Sequence, residues 1–174
     1  MGDIFGSMVA KALALLTLIA VTGMLWWWNS SDRVTTMFST VTMIKNETWP
    51  SAKLQPGRYG TGTITAADLI ALRALPDSQV SGATLINDWG GTWTVRGMGS
   101  QLGIAVDGLS SSDCVRAVTR LPPATGITGV AAASSVSGAQ TATHSNGPMT
   151  TAAATTACGA ARNAVEFVVD PAGL

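Results

Sequence analysis

The chain has 174 residues, which is enough for one domain with a modest core plus an appendage. Ten Lys and Arg balance ten Asp and Glu, and only 11% of residues are charged, where about 25% is usual for soluble domains. This composition disfavours a highly soluble cytosolic protein. We also expect no nucleic-acid partner, because the sequence has no cluster of Lys and Arg to neutralise phosphates.

The N-terminal segment is apolar over a length that can cross a bilayer. Residues 8–28 carry a single charge, Lys11, and a helix of this length reaches about 30 Å. The run ends in three consecutive tryptophans, Trp26, Trp27 and Trp28. Such a cluster is typical of an aromatic belt at a membrane interface. A cleaved signal peptide is disfavoured because Asp3 precedes any basic residue. A plain single-span anchor remains an alternative.

Helical periodicity continues beyond the tryptophans. Apolar residues recur at intervals of three or four, at Val34, Met37, Phe38, Val41 and Ile44. No proline occurs before Pro50. We therefore predict one helix of about 48 residues with two halves. Residues 1–28 form a transmembrane or filament-core half, and residues 29–49 form an amphipathic half that packs on a globular extracytoplasmic head, residues 50–174.

Three short helices are expected in the head, at residues 66–75, from a cap at Ser111 or Ser112 to about Arg120, and at residues 150–161. Thr65 and Asp68 form a capping box for the first helix, and Pro76 ends it. Ser111 or Ser112 caps the second helix. The head therefore combines helices with the strands predicted between them.

Short β-prone runs separated by glycine-containing turns predict an antiparallel meander at residues 84–86, 92–96 and 102–106. Residues 124–147 are rich in Ala, Ser, Thr and Gly, which indicates surface strand and loop. The best strand of the chain is Ala164–Val169. Because this run is so apolar, it should lie centrally in the sheet.

Two cysteines, Cys114 and Cys158, are far apart and lack the spacing of metal ligands. In a chain with an export-like N-terminus they indicate one structural disulfide that closes a long loop, and two unpaired thiols are the alternative.

The sequence nominates no catalytic, metal or cofactor site, so we predict that the chain is not an enzyme. The one histidine, His144, lies in a polar stretch without a neighbouring acid or nucleophile, and we expect an ordinary exposed loop residue. The acidic residues of the head are single and scattered: Asp107, Asp113, Glu166 and Asp170. They indicate neither a paired-carboxylate hydrolase nor a calcium site.

The layout of a hydrophobic half-helix, an amphipathic half-helix and a Gly/Thr-rich head with a cysteine pair resembles the type IV pilins. Two segments resemble class b of that family. Asn87–Val95 is similar to its N-P-W-G-G segment, with Asp88 where Pro often stands. Ser112–Val115 places Cys114 at a helix start, as in class b pilins, with Cys158 as its partner. The resemblance implies an α+β lollipop fold, in which a long helix packs on an antiparallel sheet and a disulfide closes the C-terminal region.

The resemblance also implies a function. The chain would be the major subunit of a type IVb pilus, a helical polymer of many identical copies used for attachment, aggregation or conjugative mating. Its partners would be the bacterial inner membrane before assembly, the prepilin peptidase and the pilus assembly machinery, and its destination the cell surface. A minor pilin or pseudopilin, and a monomeric membrane-anchored binding module, are the alternatives.

One position departs from the family pattern. Mature pilins typically carry Glu as their fifth residue, which neutralises a neighbour's terminal amine, whereas this sequence has Phe5. If Met1 is the mature N-terminus, Asp3 is the nearest carboxylate and is expected to pair with a neighbour's terminal amine or with Lys11, since an unpaired charge in apolar surroundings is costly. The alternative for Lys11 is that its ammonium extends to the lipid headgroups.

Overall fold

The computed structural model describes residues 33–48, 59–122 and 126–170. The chain divides into two compact units, Met1–Thr35 and Thr36–Leu174, and every strand that the structure describes belongs to the second, here called the C-terminal unit. Within the described ranges, no helix combines the length and apolarity needed to cross a bilayer.

Residues 33–48 are helical and form α1. Within the C-terminal unit, Met37, Phe38, Val41 and Ile44 of this helix are buried. The ring of Phe38 lies 5.6 Å from that of Phe167, centroid to centroid, in a tilted arrangement. Each of these side chains contributes about 1.5–3 kcal/mol through burial. The spacing of three and four residues therefore marks the packed face of α1.

A five-stranded antiparallel sheet forms the centre of the C-terminal unit. Its strands, in spatial order, are β1 (Thr61–Ile64), β4 (Trp93–Met98), β5 (Gln101–Leu109), β7 (Asn163–Val169) and β6 (Ile127–Ala133). All residues of β7 are buried, and β7 lies between β5 and β6. The central position predicted for this apolar run is confirmed.

The predicted meander is only partly correct. β4 and β5 do form an antiparallel hairpin, but residues 84–85 pair elsewhere. They form β3 (Thr84–Leu85), which pairs with β2 (Val80–Ser81) in a separate two-stranded sheet. The neighbour of β4 is instead β1, whose alternating Thr and Gly gave no apolar pattern and whose residues are mostly exposed.

The interpretation of residues 124–147 as surface strand and loop was wrong in its burial. Residues 129–132 of β6 are buried, and the helix α4 (Val136–Thr141) packs on β5, β6 and β7. Small side chains permit this close packing: a Cβ added to Gly138 would lie 3.0 Å from the Cβ of Ala133. Alanine and glycine here mark tight helix–sheet contact instead of exposure.

The three helices predicted in the head are present, the first and third of them shorter than predicted. They are α2 (Ala66–Ala71), α3 (Ser111–Thr119) and α5 (Thr151–Ala157), and a 3-10 turn covers Asp77–Gln79. The capping box of Thr65 and Asp68 is confirmed. Pro76 does not end α2, because the chain leaves the helix earlier and Arg73 adopts a positive φ of 53°. The cap of α3 is Ser110, whose hydroxyl accepts from the Asp113 amide at 3.2 Å, and not Ser111 or Ser112.

Candidate functional site

A disulfide joins Cys114 in α3 to Cys158, the residue that ends α5. Both cysteines are fully buried, their Cα atoms are 5.8 Å apart, and they are 44 positions apart in the sequence. The Ser111 hydroxyl donates to the Cys158 carbonyl at 2.7 Å, which ties the same two helices together. Closing a loop of this length stabilises the fold by about 4 kcal/mol in the chain-entropy model. The alternative of two unpaired thiols is wrong.

A turn built on Asn87 precedes β4. Its side-chain oxygen accepts from the amides of Trp89 and Gly91, both at 3.0 Å. Its side-chain nitrogen donates to the carbonyls of Asp107 at 2.8 Å and Thr92 at 3.3 Å. Asn87 is 6% exposed, so one buried amide satisfies four backbone groups of the crossing between this turn and β5.

Gly90 and Gly91, which follow Trp89, are explained by two different structural features. Gly90 adopts φ +73°, a conformation that side chains disfavour. Gly91 permits close approach: a Cβ there would lie 2.1 Å from Asp107 Oδ1. The same carboxylate oxygen accepts from the Thr92 amide. The Trp-Gly-Gly segment is therefore a tight structural turn.

Trp89 connects this turn to the disulfide region. Its indole Nε1 donates to Asp113 Oδ2 at 2.8 Å, and that oxygen also accepts from the Ser110 hydroxyl at 2.9 Å. Asp113 is buried and immediately precedes Cys114. The two segments that carry the family resemblance, 24 residues apart at this contact, thus meet through one hydrogen bond.

A buried ion cluster surrounds Glu166 on β7, whose side chain is fully buried. Arg96 Nε and Nη2 donate to its two carboxylate oxygens at 2.7 and 2.8 Å, and His144 Nε2 donates to Oε2 at 2.8 Å. Arg96 Nη2 also donates to the carbonyl of Gln140 in α4 at 3.0 Å. The cluster thus joins β4, β7, α4 and the segment after α4.

The expectation that His144 is an ordinary exposed residue was wrong. Its side chain is 18% exposed and bonded to Glu166, 22 residues away. The sequence concealed this contact because it depends on paired backbone groups of Val130 and Ser145, which hold the segment against β6. Glu166, expected to be a scattered acid, is the centre of the cluster.

The chemistry of this cluster is that of a structural ion pair. Both oxygens of Glu166 are occupied by cationic or N–H donors, and no hydroxyl or thiol is bonded to His144 in the part of the chain that the structure describes. Over the same residues, no three His, Cys, Asp or Glu side chains converge on a point that could hold a metal ion.

Comparison with known proteins decides the family. A family model described as PilS N terminal matches residues 31–170. The chain belongs to the PilS family of type IVb pilins. Among solved structures it is similar to the type IVb pilin from Salmonella typhi, with 20% identity and a TM-score of 0.56, over 80% of this chain and 99% of that chain. That likeness shows the same α+β fold. None of the curated proteins searched matched this pilin.

At the end of α1, the phenol of Tyr59 is partly buried in this pilin. Burial raises the pKa of Tyr59 to about 12, the Thr48 hydroxyl partly offsets the rise, and the Asp170 carboxylate adds to it. Thr48 is itself buried, and its hydroxyl donates to the Ile44 carbonyl at 2.6 Å. Neutral Tyr59 is therefore the form that suits the folded pilin.

The remaining predicted site residues of the pilin lie outside the described residues. They are the assembly residues Met1, Asp3, Phe5 and Lys11 and the membrane-interface residues Trp26, Trp27 and Trp28. Their roles stay predictions. The residues that sequence reasoning missed are Arg96 and Gln140, since neither stands in a motif and both act through contacts distant in sequence.

Proposed function

We propose that this pilin is the major subunit of a type IVb pilus and polymerises through its N-terminal segment into a surface filament. The observation that carries the proposal is the family match over residues 31–170, in a chain whose fold is that of a type IVb pilin. The sequence adds an apolar run over residues 8–28, which is long enough for a membrane before assembly and apolar enough for a filament core afterwards.

The proposed assembly pathway follows from the environment, lipid or water, that each part of the chain prefers. The apolar run lies in the bacterial inner membrane, where the prepilin peptidase and the assembly machinery act on the subunit. The C-terminal unit is extracytoplasmic, which agrees with its disulfide, because such bonds persist in oxidising compartments. On assembly, contacts with lipid are replaced by contacts between the N-terminal segments of many identical copies.

The two charged residues of the N-terminal segment, Asp3 and Lys11, determine how neighbouring subunits pair during assembly. A charge in apolar surroundings is costly unless it is paired. If Met1 is the mature N-terminus, Asp3 pairs with the terminal amine of a neighbouring subunit or with Lys11, and so takes the place of the family's glutamate at the position where this chain has Phe5. The resulting pilus serves attachment, aggregation or conjugative mating.

The test is negative-stain microscopy of material sheared from cells that express the full chain, combined with antibody labelling. A major pilin gives abundant filaments, several nanometres wide as in the family, that are labelled along their length. Labelling only at filament ends indicates a minor pilin, and a labelled membrane without filaments indicates a monomeric anchored module. Either outcome overturns the major-subunit proposal.

The charge-pairing step is tested by substitution. Asp3→Ala is expected to abolish pili while leaving the amount of subunit unchanged, and Asp3→Ala combined with Phe5→Glu is expected to restore them. The matched control is Asp77→Ala, which removes an exposed acid from the C-terminal unit. Normal pili in the Asp3→Ala strain would refute the charge pairing without affecting the family assignment.

A further inference from the structure

A cleft of about 540 Å³ opens where four chain segments meet: residues 90–92 just before β4, residues 107–108 in β5, residues 134–137 from the end of β6 into the first turn of α4, and residues 162–163 at the start of β7. The pairing of β5 with β7 shifts register between Val106 and Leu109, next to this point. Three of the residues that line the cleft, Gly90, Gly91 and Gly108, present only backbone to it.

The walls of the cleft are held by hydrogen bonds that do not depend on a ligand. Asn87 and Asp107 fix the first two segments. Ser135 caps α4 by accepting from the Gly138 amide at 3.2 Å. Buried Asn163 accepts from the Ala160 amide at 3.2 Å and donates to its carbonyl at 2.8 Å, which fixes the turn that carries residue 162. A preformed site loses little conformational freedom on binding.

Several polar groups in this cleft have unused bonding capacity. Arg162 is exposed and has no hydrogen bond or ion pair with any residue that the structure describes. The Ser134 hydroxyl likewise has no partner within the described ranges, and that of Ser137 makes only a 3.4 Å contact with Ser135. The second carboxylate oxygen of Asp107 accepts only from the Thr92 hydroxyl, at 3.4 Å. These groups are arranged around an open volume instead of satisfying one another.

We propose that this cleft binds an acidic sugar: a terminal saccharide with a single anionic group, carboxylate or sulfate, flanked by hydroxyls. Arg162 pairs with the anion, because a guanidinium matches such groups with two parallel hydrogen bonds. The hydroxyls of Ser134 and Ser137 and the free oxygen of Asp107 bond the sugar hydroxyls. Asp107 also repels a polyanion, which selects against phosphate-rich ligands such as nucleic acid.

The proposal goes beyond filament formation, because all four segments belong to one chain and no neighbouring subunit is needed. Full-length protein dispersed in detergent is titrated by calorimetry with 3′-sialyllactose, 3′-sulfolactose and neutral lactose. We expect at least one anionic probe to bind, with lactose roughly ten-fold weaker or worse. Binding of one anionic probe alone identifies carboxylate or sulfate as the preferred group. Equal binding of lactose, or no binding of any probe, overturns the proposal.

Variants locate the site. Arg162→Ala is expected to weaken binding of the anionic probe at least about ten-fold, Arg162→Lys less, and Ser137→Ala a few-fold. Arg120→Ala, which removes an exposed arginine elsewhere, is the control and leaves affinity unchanged. Thermal unfolding of each variant checks that the fold persists. Undiminished affinity in Arg162→Ala overturns the proposal. Because dispersed subunits are measured, binding can succeed or fail independently of pilus formation.

Discussion

Arg96 on β4 and Glu166 on β7 form a two-point ion pair across β5, the strand that lies between them. The register places Gly103 of β5 beside Arg96, and a Cβ added there would lie 2.7 Å from Glu166 Oε1 and 3.1 Å from Arg96 Cγ. Two side chains separated by a strand can therefore meet because the intervening strand has no side chain at that position. His144 adds a third contact, to the Oε2 atom of Glu166.

Gly103→Ala is the first prediction. The added methyl group cannot fit unless the buried ion pair shifts, so we expect a loss of about 1–3 kcal/mol in the free energy of unfolding. Urea unfolding of the full-length protein in detergent measures it. Gly159→Ala is the control, because a Cβ added there would lie 3.4 Å from the carbonyl oxygen of Thr156 and the φ of Gly159 is not positive. Equal stability of the two variants would show that Gly103 does not make room for the pair.

Glu166→Gln is the second prediction. It keeps the shape of the side chain but leaves the partly buried Arg96 guanidinium without a counter-charge. We therefore expect a loss of about 2–4 kcal/mol in the free energy of unfolding. His144→Ala should cost less, about 1–2 kcal/mol, because the bidentate contact with Arg96 survives. Asp77→Asn, at an exposed acid, is the control for charge removal. A larger effect for His144→Ala than for Glu166→Gln would contradict this order.

The outcome for Glu166 illustrates which parts of the structure the sequence could predict. Local sequence patterns predicted the capping box of Thr65, the packed face of α1 and the central position of β7, because a cap, an apolar helix face and an apolar run are each recognisable from residues close in sequence. The contact of Arg96 with Glu166 joins residues 70 positions apart. It depends on which strands are neighbours in the sheet, and local sequence patterns do not predict that order. The sequence analysis missed β1 for a different reason: an exposed edge strand needs no apolar alternation, so no such pattern marked it.

In the candidate site, too, some features could be predicted from the sequence and others could not. The disulfide partners were predictable because the chain has only two cysteines. The contact of Trp89 with Asp113 was not, although both segments had been singled out, since nothing in either segment specifies the other. The cleft around Arg162 was missed because its hydroxyls and glycines come from four segments that look like ordinary polar turns.

Asn87→Ala is the third prediction. The substitution leaves the amides of Trp89 and Gly91 and the carbonyl of Asp107 without their side-chain partner in a partly buried crossing. We therefore expect a loss of about 2–4 kcal/mol in the free energy of unfolding. The adjacent Asp88→Ala is the control, because Asp88 is exposed and should change stability by less than about 0.5 kcal/mol. Chemical unfolding followed by tryptophan fluorescence measures both. A neutral Asn87→Ala would refute the role of this side chain as the centre of the turn.

The double substitution Cys114→Ala with Cys158→Ala is the fourth prediction. It removes the constraint on a 44-residue separation and is expected to lower the free energy of unfolding by about 4 kcal/mol. Reductant should destabilise the native pilin towards the same value and leave the double variant unchanged. If reductant destabilises both proteins equally, the effect does not come from this bond.

The fifth prediction is a loss of stability at alkaline pH that depends on Tyr59. The pKa of its phenol is about 12 in the folded chain, against the ordinary 10 of an unfolded chain, chiefly because burial disfavours the phenolate. The stabilisation is therefore fully present below pH 10 and is lost as pH rises from 10 to 12, because over that interval the unfolded chain has released the proton and the folded chain retains it.

Tyr59 is only partly buried, so solvent screening limits the effect to about 1–2 kcal/mol. Lysines also titrate in this range, and Tyr59→Phe separates their contribution because it removes only the phenol. The unfolding free energies of the two proteins, measured in steps between pH 8 and 11.5, should run parallel below pH 10. Above it, native protein should lose stability faster than Tyr59→Phe; curves that stay parallel to pH 11.5 would mean that the folded phenol ionises as readily as the unfolded one.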